Sequence, residues 1–225
     1  MRASHQLHPV DGVHVPCICR GIVLEVGLVM LQGSRRAHEI AIQNASELTN
    51  TQVSIRELRS LEDLLDGGLD AIILPGGEST TMRIVGGEGG TGLLGPLYSI
   101  IRENGDMPVL ATCAGTILLA DPQDGGDPII SAEVDRNAWG RQIDSFIGPV
   151  AVENANSPIQ CVFIRAPRFT DARKPSVIAT FDGEPVGVRE SNRIALTFHP
   201  ELSGTTIFHE MLIEAALSTQ RGATA

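Results

Sequence analysis

The first half of the chain alternates apolar runs with amphipathic stretches. Residues 21–31 form a Val- and Leu-rich run that predicts a buried strand, broken by Gln32-Gly33-Ser34. Residues 35–45 predict a helix, with Ala37, Ile40 and Ala41 on one face. After Val53, the Ser54-x-x-Glu57 spacing predicts a capped helix running to Leu65. Residues 70–74 predict a short buried strand that ends in Pro75-Gly76-Gly77. The glycine-rich stretch 86–92 predicts a mobile loop, 93–103 a helix and 107–112 a strand. A short helix over 114–120 follows directly after Cys113.

The second half changes rhythm. Residues 129–134, 160–165, 176–181, 185–188 and 193–198 are short strand candidates between turn residues, and 205–218 predicts a closing amphipathic helix. Early strand–helix alternation with extra strands later predicts an α/β fold. The expected form is a three-layer sandwich with a mostly parallel central sheet and a small antiparallel portion. Residues 1–21 are expected to be an N-terminal extension, 22–220 a single domain and 221–225 a tail.

Composition narrows the function classes. A net charge of −10 argues against a general nucleic-acid binder and against an anionic membrane surface, because both require a basic face. The longest apolar run, 21–31, is too short to span a bilayer and contains Glu25. No apolar segment follows Arg2 before Pro9 and Asp11, so a secretory signal is not expected. Four cysteines in 225 residues do not make a disulfide scaffold, and a reduced, cytoplasmic protein is the simplest reading. His5, His8, His14, Cys17 and Cys19 are metal-ligand types, but their spacing matches no structural zinc pattern. No metal or cofactor is expected.

The chemistry concentrates at predicted strand ends, where α/β sheets place their active sites. Cys113 closes one apolar run; Ile194 to Phe198 form another, which delivers His199-Pro200-Glu201. A thiol, an imidazole and a carboxylate are the material for nucleophilic catalysis: Cys113 the nucleophile, His199 the general base, Glu201 its orienter. If 199–201 is extended, the two side chains point the same way. The N–H groups of Gly76, Gly77 and Ala114 are candidates for stabilising an oxyanion. Without a following Gly-Lys-Ser/Thr, the Gly76-Gly77 turn is not a phosphate cradle. Arg136, Arg141 and Arg165 stand out as well; Arg165 ends the apolar run Val162-Phe163-Ile164, where its guanidinium suits either a substrate carboxylate or a surface ion pair. Trp139 and Cys161 read as packing residues.

Five stretches carry a resemblance: Leu74-Pro75-Gly76-Gly77-Glu78-Ser79-Thr80-Thr81-Met82, Thr112-Cys113-Ala114-Gly115, the segment from Asp135 to Phe146 with its Arg136-Asn137-x-x-Gly140-Arg141-Gln142 core, Phe163-Ile164-Arg165-Ala166-Pro167 and Phe198-His199-Pro200-Glu201-Leu202. Together with Leu31-Gln32-Gly33 and His38, they resemble the class I (triad) glutamine amidotransferases. Within that family they resemble the glutaminase subunits of pyridoxal 5′-phosphate synthase. The resemblance implies a flavodoxin-like amidotransferase fold and a Cys113-His199-Glu201 triad. It implies glutamine contacts at Gly77, Glu78, Ser79, Arg136, Ile164 and Arg165. It further implies that L-glutamine is hydrolysed to glutamate and ammonia, and that the ammonia passes to a separate (β/α)8-barrel synthase subunit in a hetero-oligomer. Thr116 departs from the family's usual aliphatic residue, which implies altered packing behind Cys113. The alternatives are the same chemistry serving another acceptor pathway, a cysteine peptidase or thiol hydrolase, and a non-catalytic regulatory subunit.

Overall fold

A computed structural model describes residues 22–136 and 145–223. Arg141, Trp139 and the histidines and cysteines before residue 22 lie outside the described residues. The first half comprises β1 (Val23–Val29), α1 (Arg35–Leu48), β2 (Gln52–Leu58), α2 (Leu61–Leu65), β3 (Ala71–Leu74), α3 (Ser79–Gly86), α4 (Leu94–Glu103), β4 (Val109–Thr112) and α5 (Ala114–Ala120). The second half comprises β5 (Glu133–Asp135), β6 (Phe146–Val152), β7 (Ile159–Phe163), β8 (Arg168–Asp171), β9 (Ser176–Phe181), β10 (Glu184–Glu190), β11 (Arg193–Leu196), a 3-10 turn (Pro200–Leu202) and α6 (Ile207–Ala223). None of the described helices is long and apolar enough to cross a membrane.

Nine of these strands form one sheet in the order β2-β1-β3-β4-β11-β10-β9-β6-β7. The run from β2 to β11 is parallel, and the pairings beyond β11 are antiparallel. Alternation along the central strands divides the core. Ile73 and Leu110 face α1 and α6, against Ile42, Phe208 and Leu212. Ile72, Leu74, Val109 and Ala111 face the other way, against Met82, Leu97, Tyr98 and Leu118 of α3, α4 and α5. Helices on both faces of the sheet complete the three layers expected from the pattern.

Two local expectations are corrected. Residues 52–58 are a strand, paired residue for residue with β1, so Ser54 caps nothing. The cap lies six residues later, where the Asp63 carboxylate accepts from the Ser60 N–H at 2.8 Å and its hydroxyl at 3.0 Å. Seven inter-strand pairings outweigh a capping pattern that is worth only about 1 kcal/mol. Of residues 129–134, only the end is a strand; the N–H groups of Ile129 and Ile130 bond the Leu119 carbonyl instead. Residues 87–92 form a turn, closed internally by Gly92 N–H to Gly87 O at 3.0 Å and tied to α3 by Thr91 N–H to Val85 O at 2.7 Å.

The topology sets the site. β1 lies between β2 and β3, so the strand order reverses there and opens a crevice beyond the carboxyl ends of β1 and β3. The antiparallel strands curl round until β7, last in the order, bridges back to His199, whose N–H bonds Val162 O at 2.8 Å.

Candidate active site

Cys113 stands between β4 and α5 with φ 48° and ψ −108°. A non-glycine residue there stores about 1–3 kcal/mol of strain, which the surroundings must hold. Three restraints do so. The Cys113 N–H bonds Leu196 O at 2.8 Å. The Thr116 hydroxyl donates to the same carbonyl at 2.6 Å. All of α5 behind the thiol is buried. Thr116 therefore ties the helix to β11, a polar restraint where the resemblance implied only altered packing. Gly115 is demanded by packing: a Cβ there would meet the backbone of Leu74 and Pro75.

The thiol is 5% exposed, and its Sγ lies 3.7 Å from the Ile164 carbonyl, delivered by the curl of β7. His199 leaves the end of β11 and its Nδ1–H donates to Glu201 Oε1 at 2.7 Å. Glu201 does not reach it along an extended strand as expected. Pro200 starts a 3-10 turn, and that turn folds the carboxylate back under the ring. The Ser203 hydroxyl donates to His199 O at 2.9 Å and accepts from Val162 N–H at 3.0 Å, fixing the loop to β7. Gly76 lies between the groups: a Cβ there would sit 2.5 Å from His199 Cε1 and 3.2 Å from Cys113 Cβ.

Electrostatics follows from this packing. Burial alone would lower the His199 pKa, but hydrogen bonding to Cys113 and Glu201, with the charges of both, raises it to about 10. Burial alone would raise Glu201; the hydrogen bond from His199 and the nearby His38 and His199 rings hold it below the ordinary carboxylate value. The fold thus favours a charged imidazolium between an ionised carboxylate and the Cys113 sulfur.

The chain is similar to known proteins over most of its length. Residues 28–218 match the SNO glutamine amidotransferase family. The chain belongs to that family. The pyridoxal 5′-phosphate synthase subunit PdxT of Picrophilus torridus is 38% identical over 200 residues, 86% of this chain and 99% of that protein. The protein of the same name from Thermococcus gammatolerans is 38% identical over 203 residues, 87% of this chain and 100% of its own. A crystal structure of a glutamine amidotransferase superposes with a TM-score of 0.69 at 34% identity, covering 85% of this chain and 98% of that one. A Thermotoga maritima glutamine amidotransferase, 17% identical with a TM-score of 0.52 over 89% of this chain and 85% of its own, shares the fold.

The remaining residues singled out in this amidotransferase lie at the start of α3, at the start of α5 and just after β7. Glu78 caps α3, its carboxylate accepting from Thr81 N–H at 2.7 Å, Thr81 Oγ1 at 2.8 Å and Thr80 N–H at 3.1 Å. These bonds, led by the Thr81 hydroxyl, lower its pKa to about 2. Arg136 joins the group, donating to Thr80 Oγ1 at 2.8 Å and lying 3.7 Å from Glu78. Ser79 is buried in the first turn of α3, and Gly77 is exposed beside it. Ala114 opens the first turn of α5, whose leading N–H groups have no intrahelical acceptor. Arg165 follows Ile164 with φ 43° and is exposed. Among the described residues, the structure thus brings Cys113, His199, Glu201, Gly76 and the Ile164 carbonyl into one cluster, while Glu78 and Arg136 meet at the start of α3.

Three residues at the site were not singled out for it from sequence. Gln32 accepts from the Glu78 N–H at 2.6 Å and so clamps the end of β1 to the Gly76-Gly77 turn. Its position after the first strand was the available signal. Ser203 and His209 carried none, because the contacts that place them here, Val162 for Ser203 and His38 for His209, lie far off in sequence.

Proposed function

We propose that this chain is the glutaminase subunit of a pyridoxal 5′-phosphate synthase, hydrolysing L-glutamine to L-glutamate and ammonia. The observation that carries the reading is Cys113 at a strained strand-to-helix turn, coupled to an imidazole that Glu201 orients from behind. The names of the relatives supply the pathway.

In this reading the Cys113 thiolate attacks the carboxamide carbon of glutamine. The oxyanion is held by the N–H groups of Gly76, Gly77 and Ala114. Glu201 occupies Nδ1 of His199, which leaves Nε2 to give a proton to the departing nitrogen as the carbon–nitrogen bond breaks. Ammonia leaves and a thioester remains. His199 then takes a proton from water, hydroxide adds to the thioester, and glutamate departs as the thiolate is restored. Gly77, Glu78, Ser79, Arg136, Ile164 and Arg165 form the glutamine side of the site. The ammonia passes to a (β/α)8-barrel synthase subunit in a cytoplasmic hetero-oligomer.

Glutamate and ammonia release, measured with and without the synthase subunit, tests this. Wild type should consume glutamine in the complex and Cys113→Ala should not. Full hydrolysis by Cys113→Ala, or equal hydrolysis of unrelated amides, would reject the reading.

A further inference from the structure

Two buried histidines stand behind the triad, and the chemistry above uses neither. His38 on α1 and His209 on α6 are both 0% exposed. His38 Nδ1 lies 3.2 Å from His209 Nε2, with ring centroids 5.5 Å apart. On its other edge, His38 Nε2 lies 3.5 Å from Glu201 Oε1, the oxygen that accepts from His199. Helices α1 and α6, 171 residues apart at this contact, thus close on the carboxylate from behind.

The proton positions follow from the donor inventory. A carboxylate only accepts, so the edge of His38 facing Glu201 carries the hydrogen on Nε2. Nδ1 of His38 is then an acceptor, and His209 must donate to it from Nε2. Among the described residues the bare Nδ1 of His209 has no hydrogen-bond partner, which costs less than a stranded N–H would. His38 Nε2 likewise has no hydrogen-bond partner among the described residues; Glu201 Oε1 stands 3.5 Å from it, and catalytic contacts of this length tighten when substrate fills a site.

We propose that His38 and His209 are positioning residues: a line of two histidine rings, donating from α6 through α1, fixes the Glu201 carboxylate beneath His199. Burial lowers the pKa of both rings, His209 to about 3, so neither competes with His199 for the cluster's proton. The charged or titratable groups acting on them are Glu201, His199 and each other. Both also sit in the first turns of their helices, where the dipole disfavours a cation. The proposal deepens the triad reading and rests on it.

The test uses two readouts: glutamate release in the complex with the synthase subunit, and the rate of Cys113 alkylation by iodoacetamide, which needs no glutamine. His38→Leu should slow both about tenfold with KM little changed, the cost of losing a hydrogen bond to a charged group. Because a lost donor raises a carboxyl pKa, the acid limb of alkylation should move up by about one pH unit. His38→Gln, with a donor near Nε2, should recover to within about threefold of wild type. In a Glu201→Ala background His38→Leu should cost nothing more. His209→Leu should act in the same direction, more weakly, and add nothing to His38→Leu. Equal losses in the Glu201→Ala background, or His38→Gln as slow as His38→Leu, would overturn the proposal and leave a packing role. A wild type that releases no glutamate while its alkylation follows this pattern would sink the glutaminase reading and spare the histidine line.

Discussion

Gly115→Ala is the most direct test of how the turn behind Cys113 works. A methyl at this position falls 3.0 Å from the Leu74 carbonyl carbon and 3.1 Å from Pro75 O, with Leu74 O closer still. All three are backbone atoms, so no side-chain rotamer relieves the clash. An unstrained carbon–oxygen contact needs about 3.3 Å or more, so α5 and the end of β3 must part by roughly 1 Å. Overpacking of this kind costs about 1–3 kcal/mol. At about 2–4 °C per kcal/mol for a chain of this size, the melting temperature should fall by roughly 2–12 °C. Activity should suffer more than stability. The parting elements carry Ala114 on one side and Gly76 on the other, and a 1 Å misplacement of reacting groups costs about 100-fold. Gly95→Ala is the control: nothing lies within 4 Å of a Cβ there, in the exposed face of α4. It should leave activity unchanged and stabilise by about 0.5–1 kcal/mol. Thermal melts and glutaminase kinetics on folded protein decide the matter. Gly115→Ala with wild-type melting and turnover would refute the packing argument.

Other outcomes follow from the same structure. Thr116→Val removes the buried hydroxyl that joins α5 to Leu196 O; chemical denaturation should show a loss of about 1–2 kcal/mol, since that carbonyl keeps the Cys113 N–H. Glu78→Ala uncaps α3 and should cost about 0.5–2 kcal/mol while raising KM for glutamine; Glu78→Gln, which keeps the acceptor oxygen, should recover part of the stability. Stability should peak near neutral pH. The His209 pKa falls on folding to about 3, so its contribution is present above the unfolded value near 6.5 and is lost as pH falls from there towards 3, at about 1.4 kcal/mol per pH unit. The His199 pKa rises to about 10, so its contribution is present below 6.5 and is lost as pH climbs through 10. Urea midpoints between pH 4 and pH 10 check both limbs. His209→Leu should flatten the acid limb, and a wild-type profile without an acid limb would contradict the assignment.

How far the site could be read in advance depends on the range of the interactions that make it. The run 70–74, ending in Pro75-Gly76-Gly77, was legible because a buried strand and its turn are written in consecutive residues. Cys113 was legible for the same reason, as a thiol between an apolar run and small residues. The reading of 52–58 failed because Ser54 and Glu57 carry a local capping pattern, whereas the strand exists through pairing with β1. Glu201 reached His199 by a 3-10 turn in place of an extended segment.

By itself, then, the chain determined its layered α/β class, its short strands and the residues able to carry thiol chemistry. These follow from hydrophobic periodicity and local turn chemistry, which act over a few residues. The tertiary structure alone decided that β7 would curl back to set Ile164 O against the Cys113 sulfur, and that Gln32 would clamp the glycine turn. It alone brought His38 and His209 together behind Glu201. Those contacts depend on how two helices and a curled sheet pack in three dimensions, and no periodicity along the chain encodes a distance between residues so far apart.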